Sequence, residues 1–333
     1  MELSKRLFMT ASMVERGSIV ADVGCDHGYT AIYLVQNGIC PRVLAMDVNE
    51  GPLAAAREHI REAGLTAYIE TRLSDGLSAM RWTEAAAPSG IEPGRKPEAA
   101  APSGAGTCRR PEADTLLMAG IGGRLAARIL QDGADKLACM RTVIVQPQSE
   151  LWLVRQTLMR LGYRITAEDM VKEDGKFYTA IRAQQAACFR TCGEGGAEAL
   201  KVSEASKTSV ASKAPEDSAM PEDLPLTREE WQEAGERWGH PLIEGRHPVL
   251  LEYLKDALLK NRAAQEAIRS GAIRTGGISA DAIRTGAICV GAEENGSPEE
   301  LPERSRERLE QLEKEAFLAG RLVGWLEKGR TKW

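Results

Sequence analysis

Short, nearly continuous apolar runs recur through the first half of the chain: SIVADV at 18–23, RVLAMD at 42–47, AYIETRL at 67–73, DTLLM at 114–118 and TVIVQ at 142–146. Helically spaced stretches separate them, among them residues 30–36 and 150–161. Apolar runs of strand length alternating with helices belong to a mostly parallel α/β sheet covered on both faces. Two more strand-like runs follow, GYRITAEDMV (162–171) and KFYTAIRA (176–183), joined by the turn signal Glu173-Asp174-Gly175. They predict an antiparallel hairpin that closes a sheet of seven strands.

From about residue 226 the apolar period becomes helical. Leu251, Leu254, Leu258 and Ile268 hold heptad register with Asn261 and Gln265, and Leu309, Leu312, Ala316, Ala319, Val323 and Leu326 hold it without a polar interruption. Two such stripes predict an antiparallel, coiled-coil-like helical hairpin, although packing of each stripe on the α/β domain is the plainer alternative. Three stretches poor in large apolar residues read as insertions or linkers. The first, about 84–112, holds EAAAPSG twice (84–90 and 98–104); the second runs over 186–225; the third, about 270–303, holds AIRTG twice (272–276 and 282–286). The expected organisation is an α/β domain at 1–185 with its insertion at about 84–112, a linker at 186–225, and a helical domain at 226–333 interrupted at about 270–303.

The 333 residues are 43% hydrophobic and 27% charged. No run approaches the roughly 18 apolar residues that a membrane helix needs, so no membrane partner is expected. Charges at Glu2, Lys5, Arg6, Glu15 and Arg16 leave no apolar segment of signal-peptide type, which points to the cytoplasm. Among seven cysteines only Cys188 and Cys192 have ligand-like spacing, with no second pair nearby, so neither a disulfide framework nor a metal site is predicted. A net charge of −5 argues against unspecific coating of nucleic acid but leaves room for a local basic patch.

The strongest local chemistry is ADVGCDHGY (21–29), a strand running into a glycine-bearing turn and then a helix. Gly24 and Gly28 let backbone approach a ligand, and the helix N-terminus offers donors. A dinucleotide fingerprint would place glycine at Asp26 and Tyr29. A carboxylate at position 26 would repel a diphosphate and attract the cationic methionine end of S-adenosylmethionine; capping and a structural imidazole are the plainer roles for Asp26 and His27. Asp47, ending the second strand, can accept both hydroxyls of a ribose, and Asn49 helps open the next helix. Asp75 in RLSDGL (72–77) can take an adenine amino group or simply form a turn. MAGIGG (118–123) ends the fourth strand, where open α/β sheets form their crevice; Gly120, Gly122 and Gly123 leave room for a planar base or serve tight helix–strand packing. Gln146, Pro147 and Gln148 fall on the same rim after the fifth strand. A five-strand βα order closed by a hairpin is the class I methyltransferase plan, as distinct from an all-parallel dinucleotide fold.

LSKRL, ADVGCDHGY, DVNEGPL, MAGIGG, VIVQPQ and the GKFY of 175–178, in this order over about residues 1–183, resemble the bacterial tRNA (adenine-22-N1)-methyltransferase family. The resemblance implies a Rossmann-like class I domain followed by a helical domain, with S-adenosylmethionine as cofactor, tRNA as partner and N1 of an adenine as methyl acceptor. It implies cofactor contacts at Asp22, Gly24, Asp26, His27, Gly28, Asp47, Val48, Asn49, Ser74, Asp75, Gly76, Ala119 and Gly120. It implies substrate contacts at Lys5, Arg6, Ile121, Gly122, Gly123, Gln146, Pro147 and Lys176. The chain departs from that pattern in its three insertions and in Cys25 and Gly28, where Ser and Ala are expected; neither change removes a needed functional group. Neutral adenine already carries a lone pair at N1, so alignment suffices and no nucleophilic His or Cys is expected. Asp26 and Tyr178 are the candidates for holding or electrostatically assisting the base. Lys5, Arg6, Arg124, Arg128, Arg155 and Lys176 are the candidate phosphate contacts, solvated charge being the plain alternative for each. A non-catalytic module that binds tRNA or protein, and a small-molecule methyltransferase, remain the competing functions.

Overall fold

The computed structural model describes residues 2–85, 108–185, 220–270 and 301–330. The AIRTG repeats, most of the first EAAAPSG copy and all of the second, Cys188, Cys192 and residues 186–219 of the expected linker lie outside these. The chain divides into two compact units, Met1–Asp217 and Ser218–Trp333.

In the first unit the strands are β1 (Ile19–Val23), β2 (Arg42–Asp47), β3 (Ile69–Leu73), β4 (Trp82–Ala85), β5 (Cys108–Pro111), β6 (Thr115–Ile121), β7 (Thr142–Pro147), β8 (Tyr163–Glu173) and β9 (Lys176–Gln185). The helices are α1 (Lys5–Ser12), α2 (Tyr29–Gln36), α3 (Glu50–Glu62), α4 (Gly123–Asp132), α5 (Ala134–Leu137) and α6 (Leu151–Arg160). Seven strands form one sheet in the order β3-β2-β1-β6-β7-β9-β8. The first five are mutually parallel, and β9 runs antiparallel to both β7 and β8. The hairpin turn falls at Asp174 and Gly175, both left-handed (φ +48° and +73°), which is the conformation an Asp-Gly turn supplies.

The unbroken apolar runs are explained by burial on both faces. Ala21, Val23, Leu44, Met46, Leu116, Met118, Val143 and Val145 point to one side, where α4 and α6 add Leu130, Val154 and Leu158. Their alternates Val20, Val43, Ala45, Leu117 and Ile144 point to the other, against Ala11, Leu34, Leu53 and Ile60 of α1, α2 and α3. The pattern does not announce β4 and β5. These pair antiparallel as a separate two-stranded sheet, so the ends of the 84–112 stretch are strand, and Glu112 just beyond them bonds Arg72 and the Arg81 N–H.

The second unit contains α7 (Arg228–Trp238), α8 (His240–Glu244), α9 (Pro248–Arg269) and α10 (Glu303–Arg330). Thr227 and Glu230 form a reciprocal capping box that starts α7. Lys255–Glu327 (2.6 Å) and Arg269–Glu313 (2.6 Å) fix α9 and α10 as the expected antiparallel pair. Gln265 Nε2 donates to Asn261 Oδ1 (2.7 Å), and Asn261 Nδ2 donates to the Leu312 carbonyl (3.0 Å), which accounts for the polar residues in the stripe. Leu318, Leu322 and Trp325 are buried beside the heptad positions of α10. The buried face is wider than a two-helix seam because α7 also lies on α10, joined by Arg321–Glu230, Lys314–Glu233 and Arg237–Glu315. Among the described residues no helix is long and apolar enough to cross a membrane.

Candidate functional site

The parallel strands β1, β2, β3, β6 and β7 end on one rim of the sheet, and the turns that leave them carry most of the expected residues. After β1, the Gly24 N–H donates to the Met46 carbonyl (2.9 Å) and the Gly28 N–H to the Cys25 carbonyl (2.8 Å). Gly28 is left-handed (φ +73°), and a Cβ there would lie 3.2 Å from the Cβ of Ala56 on α3. Asp26, where a dinucleotide fingerprint has glycine, is also left-handed (φ +49°), a conformation that Asp tolerates better than most residues. Asp47 is buried and ties two turns together, accepting the Asn49 N–H at 2.8 Å and the Asp26 N–H at 3.4 Å.

Asp22 lies beneath this turn, 3% exposed, and its Oδ2 has no hydrogen-bond partner among the described residues. Burial first, and the Asp47 carboxylate second, push its carboxyl up to about 7. Two buried carboxyls short of a counter-charge fit a cation and would repel a diphosphate. The same burial and the same carboxylates push the Cys25 thiol well up, so it is no nucleophile. Val48 (59% exposed) and Leu73 (52% exposed, register partner of Asp47) leave apolar surface at the ends of β2 and β3 that a planar base can cover. Leu73 stands in RLSDGL, but nothing in the sequence assigns it a role; an apolar strand end left exposed is a signal visible only in the structure. Asn49 and Gly76 stand at their turns, but Ser74 is buried, donating to the Gly76 carbonyl (2.8 Å) and accepting the Ala79 N–H (3.1 Å), so its hydroxyl shapes the turn. Asp75 is exposed and faces Arg128 at 3.4 Å.

At β6, Ala119, Gly120, Ile121 and Gly122 are partly exposed. Gly122 has nothing within 4 Å of a Cβ position, whereas a Cβ on Gly123 would collide with the Ser149 carbonyl. Gly123 therefore serves packing, and Gly122 leaves the open space. Gln146 is fully buried and accepts the Gly120 N–H on Oε1 (3.1 Å), and Pro147 is buried too. Both support the loop from below, and the exposed amide on the rim is that of Gln148. Arg6 gathers this region: its Nη1 lies 3.2 Å from the Cβ position of Gly120, its guanidinium 5.7 Å from the Tyr178 ring centroid, and its Nε 3.8 Å from Glu173. Asp26 instead meets His27 Nε2 at 3.6 Å, so the two candidate base-holding residues belong to different clusters.

The cations divide in the same way. Lys5 and Lys176 are exposed, and Arg124 is 84% exposed while facing Glu150 at 3.2 Å. Arg155 cannot grip phosphate: it is 2% exposed and bonds Glu168 at 2.7 Å inside the fold. Amphipathic spacing places an Arg on a helix but does not say which face the core covers. Among the described residues no group of three or more His, Cys, Asp or Glu is placed to hold a metal ion.

A family model described as a methyltransferase domain matches residues 3–88 and 96–181, just over half of the chain. The tRNA (adenine(22)-N(1))-methyltransferase of Bacillus subtilis (strain 168) is 30% identical over 184 residues, 55% of this chain and 66% of that protein, so the match spans slightly less than two thirds of the relative. The crystal structure of the B. subtilis M1A22 tRNA methyltransferase TrmK superposes with TM-score 0.61 at 22% identity, covering 97% of this chain and 99% of that one. The structure of M. capricolum TrmK in complex with S-adenosyl-homocysteine superposes with TM-score 0.53 at 18% identity, over 95% and 99%. At such identities these structures establish the fold. With the family match, the seven-strand order and the acidic glycine turn taken together, this chain belongs to the methyltransferase-domain family.

Proposed function

We propose that this chain transfers a methyl group from S-adenosylmethionine to N1 of an adenine in tRNA, adenine 22 as in the B. subtilis relative. The observation that carries the proposal is the buried Asp22–Asp47 pair beneath a glycine turn, whose orphaned oxygen suits a cationic donor. When bound, S-adenosylmethionine supplies a methyl group on a positively charged sulfur. Asp22 and the 24–28 turn would hold its cationic end, Asp47 its ribose, and Val48, Leu73 and Asp75 its base. The homocysteine form bound by the M. capricolum protein supports the same cofactor class.

The chain's own residues have a limited chemical task. Adenine N1 needs no proton removed, so the crevice must admit a planar ring, exclude water and tolerate the positive charge left on the methylated base. Bare backbone at Gly120 and Gly122 admits the ring, and Tyr178 and Gln148 flank it. Among the candidates, Lys5, Arg124, Arg128 and Lys176 are exposed and open to phosphate. Action in the cytoplasm is part of this proposal. Nucleoside mass spectrometry of tRNA incubated with the chain and S-adenosylmethionine tests it. N1-methyladenosine is the expected product; no new methylated nucleoside in any tRNA would contradict it.

A further inference from the structure

His27, Tyr29 and His59 form a cluster of rings that no sequence motif foretells. Their centroids are 5.5 Å (His27–Tyr29), 5.1 Å (Tyr29–His59) and 5.7 Å (His27–His59) apart, with Tyr29 stacked on both histidines. His27 and Tyr29 stand in the glycine turn and at the start of α2, whereas His59 comes from α3. His59 Nδ1 lies 3.0 Å from the His27 carbonyl oxygen. A carbonyl only accepts, so Nδ1 carries the proton and donates it.

The same face of α3 supplies two further contacts. Ala56 Cβ and Ile60 Cδ1 come within 3.2 and 3.7 Å of the Cβ position of Gly28. Residues 56, 59 and 60 have the spacing of one helix face, so α3 holds the turn from below at Gly28 and by a hydrogen bond at His27. The turn needs holding, because Asp26 and Gly28 are both left-handed and a non-glycine residue is strained there. Its other side-chain tether, the Asp26 N–H to Asp47, is long at 3.4 Å.

We infer that His59 is a positioning residue for the cofactor turn: through the His27 carbonyl it keeps residues 26–28 in the shape that receives S-adenosylmethionine. The inference rests on the cofactor assignment proposed above. Two substitutions in the full chain separate its parts. His59→Leu removes the donor and keeps bulk, whereas His59→Asn returns an amide N–H to the place of Nδ1–H. Calorimetry with S-adenosylmethionine should give a dissociation constant about three- to tenfold weaker for His59→Leu, the worth of one net hydrogen bond, and within about twofold of wild type for His59→Asn. In tRNA methylation, KM for the cofactor should rise by the same factor in the Leu variant while kcat stays within about twofold.

A purely structural histidine would instead lower the unfolding temperature of both variants alike and leave affinity indifferent to the Asn rescue. Wild-type affinity in His59→Leu, or affinity in His59→Asn as weak as in His59→Leu, overturns the inference. Failure of the wild-type chain to bind S-adenosylmethionine would remove the cofactor assignment itself. Binding by wild type with an unchanged Leu variant removes the role of His59 alone.

Discussion

Replacing Asp22 by Asn changes the charge of the pocket and almost nothing of its shape. The carboxyl sits at about 7 in the folded chain against its ordinary 3.8, so the folded state holds the proton more tightly than the unfolded one. The stability that this group contributes is complete below about pH 4 and is lost as pH rises through about 7; above that a buried, uncompensated carboxylate carries a constant penalty. At about 1.36 kcal/mol per pKa unit the whole span is about 4 kcal/mol, of which about 2 kcal/mol falls between about pH 5.5 and about pH 8.5. Urea unfolding of the cofactor-free chain across that window should show wild type losing about 2 kcal/mol that Asp22→Asn does not lose. Binding of a cation should restore the ionised carboxylate, so S-adenosylmethionine should release a proton near neutral pH from wild type and none from this site in the variant. Calorimetry in buffers of different ionisation enthalpy reads that proton. Parallel pH slopes for the two proteins would refute the electrostatic reasoning.

Arg155→Met strands the Glu168 carboxylate, which burial already pushes up against the pull of Arg155. It should cost about 3–5 kcal/mol in chemical denaturation, and Arg155→Met with Glu168→Leu should recover most of that. The folded double variant should keep the wild-type salt dependence of tRNA binding, since Arg155 does not reach phosphate. Gly123→Ala should destabilise by about 1–3 kcal/mol through the Ser149 collision, whereas Gly122→Ala should stay within about 0.5 kcal/mol of wild type and lower methylation instead. Asp47→Ala removes the acceptor for two backbone N–H groups and, on the proposed cofactor placement, for the ribose, and titration should find S-adenosylmethionine binding about 10- to 100-fold weaker.

The sheet was legible because its strands are buried on both faces, so Val20 to Val23 or Val143 to Val145 read as strand whatever their surroundings. The Asp174-Gly175 turn was legible for a local reason, two left-handed residues in succession. The small β4–β5 sheet was not, since WTEA and CRRP have no apolar alternation and are brought together across 22 intervening residues. In the site, Asp47 and the glycine turn could be named from spacing, because their chemistry follows from strand ends, whereas Asp22 came only with the family resemblance. Burial could not: Gln146 and Arg155 look like exposed polar contacts in sequence and prove to be internal supports. His59 was invisible for a third reason, its one decisive contact being with a carbonyl 32 residues earlier.

The central claim is that the pocket at the ends of β1 and β2 receives a positively charged sulfonium donor. Parallel titrations of the full chain with S-adenosylmethionine and with NAD at neutral pH test it most directly. The acidic pair predicts saturable heat with the sulfonium compound and none with the dinucleotide; saturable binding of NAD with no response to S-adenosylmethionine would contradict the account.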